Sequence, residues 1–302
     1  MNSIEPPWEH YRTFRAILAE RSLSGAARAL GLTQPTVARH LDALEQALGY
    51  DLFIRSQRGL SPTDAALALV PFVDTLAATA AALLRAASGY GTRVRGTVRI
   101  SASEVMGVEV LPPLLAALRA QHPELVVELA LSNAVEDLLR READVAVRMV
   151  QPTQAALIAQ RVGAIDLGFH AHRTYLERKG TPETLADLAH HDLIGFDRET
   201  ATIRAMRPRV PTVMHSGFAL RADSDLAQLA AIRAGFGIGI CQVPLAARTP
   251  ELVRLLVPDL TLALPTYVVM HEDLRANPAC RAVFDALATG LRAHATAAPA
   301  VG

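Results

Sequence analysis

The sequence predicts an α/β protein in three parts: a small N-terminal helical domain, a long linker helix, and a C-terminal α/β domain of two lobes. Three observations carry this. Residues 22 to 58 read as two short helices joined by a tight turn, then an apolar segment and a basic tip. Residues 62 to 88 are rich in Ala and Leu at heptad-like spacing. From Val98 onward, strand-like and helix-like segments alternate, the rhythm of a sheet covered by helices.

Composition sets the bounds. A chain of 302 residues, 51% apolar, is long enough for about two domains with ordinary cores. Its 30 basic and 30 acidic residues give zero formal charge, so no bulk polycation argues for nucleic acid and any such case rests on local geometry. Lys179 is the sole lysine; arginine forks suit phosphate and guanine, but an Ala- and Arg-heavy chain is more often simply a compositional bias. Cys241 and Cys280 are far apart without CxxC spacing, which reads as two buried, inert thiols. No apolar run is expected to reach the roughly 18 to 20 residues of a membrane span, and the N-terminus lacks a charged-then-apolar leader. A cytoplasmic protein without a membrane partner is expected.

In chain order, Trp8, Tyr11, Phe14, Ile17 and Leu18 mark an amphipathic helix behind Pro6-Pro7. Ser24 is expected to cap a second helix, with Ala26, Ala27 and Leu30 inward and Gly31 ending it. Thr33 offers the next cap, Pro35 falls in the first turn, and Val37, Leu41, Leu44 and Leu48 run down one face to Gly49.

Helix, short Gly-containing turn, helix is the helix-turn-helix pattern, whose second helix enters the major groove. Gln34, Thr36, Arg39 and His40 lie outward near the N-terminal end of that helix. Gln pairs with adenine and Arg with guanine or phosphate, and the helix N-terminus adds backbone donors for phosphate. Leu52, Phe53 and Leu60 then alternate with polar positions around Arg55 and Arg58, a hairpin wing able to reach phosphate or the minor groove.

Residues 14 to 64 resemble the DNA-binding segment of LysR-type transcriptional regulators. The shared features are the Ser-x-x-x-Ala-Ala-x-x-Leu run ending at Leu30, Gln34-Pro35, Leu44-Glu45, Gly49, Leu52-Phe53-x-Arg55 and Thr63. The resemblance implies a winged helix-turn-helix with Ser24, Thr33, Gln34, Pro35, Thr36, Arg39, His40, Arg55 and Arg58 at the DNA. Two positions depart: Ala38 replaces the usual serine, which puts one phosphate hydrogen bond in doubt, and Ala66 replaces glycine.

From Pro62 to Ser88, Ala65, Leu69, Phe72, Leu76, Thr79, Leu83 and Ala86 recur in four- and three-residue steps, a seam of about three heptads that wants a partner helix. Leu69, Phe72, Leu76 and Leu83 are its dimerisation candidates; packing on the chain's own C-terminal domain is the alternative. Pro71 is expected to bend or break the helix, and Ser88-Gly89-Tyr90-Gly91 to form a hinge.

The remainder reads as strands at Val98–Ile100, Leu125–Leu131 and Asp144–Val147, with helices at Val110–Gln121 and Glu136–Arg141. A second unit starts at Ala164–Ala171 and continues through Leu193–Phe196, helix Leu226–Ala234 and strand Ile238–Cys241. Strand Tyr267–Met270 and helix Ala279–Ala293 return to the first unit. A mainly parallel sheet in each of two lobes is expected. The segments RISASEVMGVEVLPPLLAALRAQHPELVVEL, ADVAVR, HRTYL, LADLAHHDLIGF and LAQLAAIRAGFGIGICQVP resemble the LysR effector domain, whose fold is periplasmic-binding-protein-like.

The parts expected are therefore a DNA-binding domain at 1–62, a linker at 63–90 and an effector domain at 91–302. Lobe I takes 91–163 and 267–302, lobe II 164–266. What the resemblance implies is a regulator acting as homodimer or homotetramer on a near-palindromic double-stranded operator, with a small-molecule effector in the cleft and RNA polymerase as a further partner.

Where strands end at the lobe interface, ligand groups are expected: Ser103 and Glu104, Ser132 and Asn133, Arg148, and in lobe II Asp223 and Ser224 at a helix start. Capping and surface ion pairing are the plainer roles for these residues. Gly235–Gly239 resembles a dinucleotide loop but follows a helix and precedes a strand, the reverse of the required context. His170, His172, His190 and His191 offer no metal spacing. Neither cofactor nor catalytic residue is expected. A solute-binding protein or enzyme using the two-lobe domain, and a thiol redox sensor using Cys241 and Cys280, are the competing readings.

Overall fold

Helix α1 (Trp8–Glu20) opens the fold in a computed structural model that describes residues 5–56, 59–88, 93–133, 142–152, 154–199, 203–204, 208, 217–260 and 262–296. Its Phe14 and Ile17 are fully buried against α2 (Leu23–Leu30) and α3 (Gln34–Leu48). The cap of α2 is Ser22, whose hydroxyl accepts the Gly25 N–H at 3.0 Å. Ser24 sits exposed inside the first turn and does not cap. An N-cap must take extended backbone and place its oxygen over the N3 amide; Ser22 has that backbone, with Gly25 at N3. Gly31 and Gly49 close α2 and α3 in left-handed conformation, as their sequence positions imply.

The wing is an antiparallel hairpin of β1 (Phe53–Ser56) and β2 (Gly59–Pro62), pairing Arg55 with Leu60. Two contacts fix it to the helices. Glu45 Oε1 accepts the Leu52 N–H at 2.7 Å, and Leu60 N–H donates to the Arg21 carbonyl at 3.1 Å. Phe53 stacks edge-on to Phe14, centroids 5.7 Å apart. Thr63 Oγ1 bonds the Asp51 and Leu52 carbonyls and accepts the Ala66 N–H, so it ties the wing to the first turn of α4 (Asp64–Ser88).

Helix α4 corrects three expectations. It runs unbroken through Pro71; the ring removes one backbone donor, and the turn is kept while Thr75 Oγ1 donates to the Pro71 carbonyl at 2.7 Å. Leu69 is half-buried against the N-terminal core beside buried Ala66 and Val73, so the first part of the seam is used by the chain's own head. By length and composition α4 is also apolar enough to cross a membrane. Its alanines supply that length, while Asp74 pairs with Arg15 at 2.7 Å on the outer face.

The chain divides into two compact units after Leu84. In the second, β3 (Gly96–Ala102) leads through a single π-helical turn at Met106–Val110 into α5 (Leu111–Gln121). Then come β4 (Leu125–Leu131), β5 (Val145–Arg148) and β6 (Leu157–His172), followed by α6 (Arg173–Lys179). Next are β7 (Leu193–Gly195), β8 (Phe218–Arg221), α7 (Asp225–Arg233) and β9 (Gly239–Gln242). The chain closes with α8 (Val243–Ala246), β10 (Leu252–Leu255), β11 (Leu262–His271) and α9 (Pro278–Thr296).

The sheet is mixed, where a mainly parallel one was expected. Strand β3 is parallel to β4 and β5, and β7 to β8, whereas β11 is antiparallel to β5 and β6, and β6 to β9 and β10. The cause is β6. A second unit was expected to begin at Ala164, but the strand is continuous from Leu157, and its first residues pair with the end of β11 while its last pair with β9 and β10. Two long antiparallel strands thus carry the chain between lobes in both directions, with a β-bulge at Thr266/Tyr267. Buried β3, β5 and α9 side chains fill the main core, among them Val98, Ile100, Val145, Val283 and Leu287. The expected helix at 136–141 and the glycines of the hinge fall outside the described residues.

Candidate nucleic-acid interface and effector site

The recognition helix α3 is seated by its apolar face: Val37, Leu41 and Leu44 are buried. That leaves Gln34, Pro35 and Arg39 exposed at the opposite face. Thr33 caps the helix by accepting the Thr36 N–H, and the two hydroxyls bond at 2.8 Å. His40 is turned toward the domain. Its Nδ1 lies 3.0 Å from Thr13 Oγ1 and its ring 4.9 Å from the His10 ring. Burial, with the charges of His10 and Arg39 behind it, lowers its pKa, so its neutral form is favoured. Arg55 is placed on β1 by its backbone; Arg58 lies outside the described residues. Ala38 is half-buried and offers no hydroxyl. Glu45 and Thr63 matter more than sequence reasoning allowed, because they hold the wing in place.

In the second unit the expected ligand groups are partly brought together. The Glu104 N–H donates to Asn133 Oδ1 at 3.1 Å, and Ser224 Oγ donates to Glu104 Oε2 at 2.9 Å. Residues after β3, after β4 and at the start of α7 therefore meet. Ser224 also caps α7 by accepting the Ala227 N–H, so its capping and bridging roles coexist. Ser103 Oγ is buried and has no hydrogen-bond partner among the described residues. The Ser132 N–H is used by the Ala102 carbonyl at 3.0 Å. Arg148 is folded back on β3, with Nη1 and Nη2 each 3.2 Å from Ser101 Oγ. Asp223 is exposed. Asp225, which no sequence signal separates from an ordinary first-turn charge, is pushed above the usual carboxyl range by burial and by the nearby Glu104.

A bidentate ion pair joins Glu109 to Arg233 at 2.7 and 2.9 Å, and Arg248 donates to the Glu109 carbonyl at 2.6 Å. The Glu109 carboxyl lies below its usual range, chiefly through the Arg233 hydrogen bond. Cavities of about 290 Å³ (beside Met270 and Phe284) and about 320 Å³ (beside Leu114 and His294) lie elsewhere. Neither is lined by the residues expected to hold a ligand.

The thiols are poor redox candidates. Cys241 is buried with Sγ 3.3 Å from His170 Nδ1, and burial pushes its pKa up to about 12. Cys280 is raised to about 12 by the same cause. His170 is lowered to about 4, mainly by burial. An imidazole that stays neutral does not stabilise a thiolate.

Fold and site together define a ligand-responsive DNA-binding class: a winged head, a long helix and a two-lobe domain. Residues 8–67 match the bacterial regulatory helix-turn-helix protein, lysR family, and residues 91–292 match the LysR substrate binding domain. The chain belongs to the LysR family of transcriptional regulators. It is 29% identical over 188 residues to an HTH-type transcriptional regulator of Xanthomonas campestris pv. campestris (strain 8004), covering 62% of this chain and 53% of that protein. To the HTH-type transcriptional regulator PgrR of Escherichia coli (strain K12) it is 27% identical, covering 87% of this chain and 90% of the other. Among solved structures, full-length CbnR complexed with its target DNA matches with a TM-score of 0.67 at 22% identity, over 96% of this chain and 100% of CbnR.

Proposed function

We propose that the protein regulates transcription by setting two α3 helices, one from each protomer, on a near-palindromic double-stranded operator. Gln34 and Arg39 read base edges, the α3 N-terminus with Thr33 and Thr36 takes a phosphate, and Ser24, Arg55 and Arg58 reach the backbone. The observation that carries this reading is the division of α3 into a buried apolar face and an exposed polar one at its N-terminal end. Self-association runs through α4, where Phe72 and Leu83 are 69% and 65% exposed and Leu76 is 45% exposed. Apolar side chains left in water at heptad spacing favour a partner helix.

A small-molecule effector enters between the lobes at Ser103, Glu104, Asn133 and Ser224, with Ser132, Arg148 and Asp223 at its margins. The bound state biases how the heads are held and how RNA polymerase is met at the promoter. The protein acts in the cytoplasm and performs no catalysis of its own. The boundaries 1–62, 63–90 and 91–302 describe its working parts.

The test is gel retardation of the chromosomal fragment upstream of its own gene. Binding should weaken steeply with salt, about 10³-fold or more between 50 and 200 mM for six or more phosphate contacts. Absent or salt-insensitive retardation contradicts the proposal. In parallel, Leu76→Asp should lower the native mass without changing the thermal transition of the effector domain. An assembly of unchanged mass would remove α4 as the interface.

A further inference from the structure

The last turn of α4 belongs to the effector unit, and a buried ion pair is among the contacts that fix it there. Arg85 Nε donates to Asp144 Oδ2 at 2.7 Å and Nη2 to Oδ1 at 3.1 Å. The pair is nearly out of water, with side chains 10% and 4% exposed. Asp144 is itself held on β3, accepting the Arg99 N–H at 2.8 Å while its own N–H donates to the Arg99 carbonyl at 2.8 Å. Beside it, Ser88 Oγ accepts the Thr97 N–H at 3.3 Å. A Cβ on Gly96 would stand 2.9 Å from the Ser88 carbonyl, so this end of the helix is apposed closely to the start of β3.

A buried ion pair is weak evidence for stability, because desolvation offsets most of the attraction and an apolar pair of similar volume does as well. What a bidentate fork supplies that apolar packing does not is a fixed direction and register. Asp144 directly precedes β5, and Arg148 ends it four residues on, about 13 Å away at the usual strand rise. Strand β5 is parallel to β3 at Ile100↔Val145 and Ser101↔Ala146. At the far end Arg148 grips Ser101, and Ser103 and Glu104 follow. Two hydrogen-bonded strands thus have the Arg85 contact at one end and the effector groups at the other.

We infer that Arg85 and Asp144 are positioning residues that hold the end of the linker helix to the β3–β5 pair, so that a change at the effector end is passed to the helix. This rests on the regulatory reading for its purpose, though not for its geometry. Hydrogen exchange on the full chain tests it. In Arg85→Met/Asp144→Asn, where the amide oxygen still serves Arg99, amides of residues 84–88 should exchange about tenfold faster while those of β3 and β5 stay within about twofold.

Arg148→Met, or Ser101→Ala if that variant does not fold, perturbs the effector end without any ligand. It should change exchange at 85–88 by about threefold or more when the ion pair is intact, and not when it is removed. Unaltered exchange on removing the pair, no effect of the Arg148 change with the pair intact, or an equal effect without it would each overturn the inference. If the double variant does not fold, Arg85→Lys keeps the charge and loses the fork, and is read in the same way. Retardation of the upstream fragment is recorded for every protein. Its loss in the wild type would sink the regulatory reading while leaving the exchange result to stand or fall alone.

Discussion

The helix proposed to face DNA and the proposed effector site use their polar side chains in opposite ways. On α3, Gln34 and Arg39 are exposed, and among the described residues no hydrogen bond ties either to a neighbour. At the effector site Glu104 is bound to Ser224, Arg148 to Ser101, and Asn133 to the Glu104 amide. A surface that meets a partner as regular as duplex DNA is preformed and open. The proposed effector site keeps most of its groups paired within the chain, Ser103 Oγ excepted, so ligand binding there would exchange internal bonds for bonds to ligand. That exchange couples occupancy to conformation, since a ligand shifts an equilibrium only through differential contacts.

The contrast can be broken at several points. The largest effect of a single substitution is expected in the head: Phe14→Ala removes a fully buried ring packed on Phe53 and should cost about 3–5 kcal/mol. Calorimetry should show the head transition lowered and the effector transition unmoved; a uniform shift would mean the two units do not melt separately. Next comes acid, which should act on the effector unit. His170 and His294 titrate at about 4 in the fold against 6.5 when free. Their unfolded forms therefore take up protons first, and stability present above pH 6.5 is lost as pH falls toward 4. The loss is up to about 3 kcal/mol for His170 and smaller for the less deeply buried His294, where solvent screens the charge, and melts at pH 7, 5.5 and 4.5 would check it. Replacing both with Gln should flatten the dependence.

A smaller effect is expected at the interface, where Arg39→Ala should weaken operator binding by about 1–3 kcal/mol with the melt unchanged. Smallest is Thr33→Ala, costing the head about 1 kcal/mol through the lost cap. If it reduced DNA affinity far beyond that stability change, Thr33 would be a direct phosphate contact as well.

Legibility in the sequence follows the same divide. The head is built from local signals, namely caps, a Gly-containing turn and 3.6-residue periodicity, so α1, α3 and the C-terminal end of α2 stood where the residues placed them. Ser22 was missed because Ser24 is equally good chemistry, and only backbone conformation separates the two. In the effector unit β4 was read at its true bounds, yet β6 was split, since nothing local says that Leu157 and His172 share one strand. The sheet's antiparallel half depends on pairings about 100 residues apart, such as Ile158 with Met270. Of the proposed site, the positions of Glu104 and Ser224 at element ends could be read, and the two side chains meet. Asp225, Ser101 and the Arg85–Asp144 pair could not, because their roles arise from burial and partners that no spacing encodes.

The central claim is that paired α3 helices read the operator, and a footprint tests it most directly. Full-length protein on the upstream fragment should protect two half-sites related by near two-fold symmetry, with centres about 34–36 Å apart or a multiple of that. Arg39→Ala should weaken both equally. A single unpaired footprint, or one left unchanged by Arg39→Ala, would contradict it.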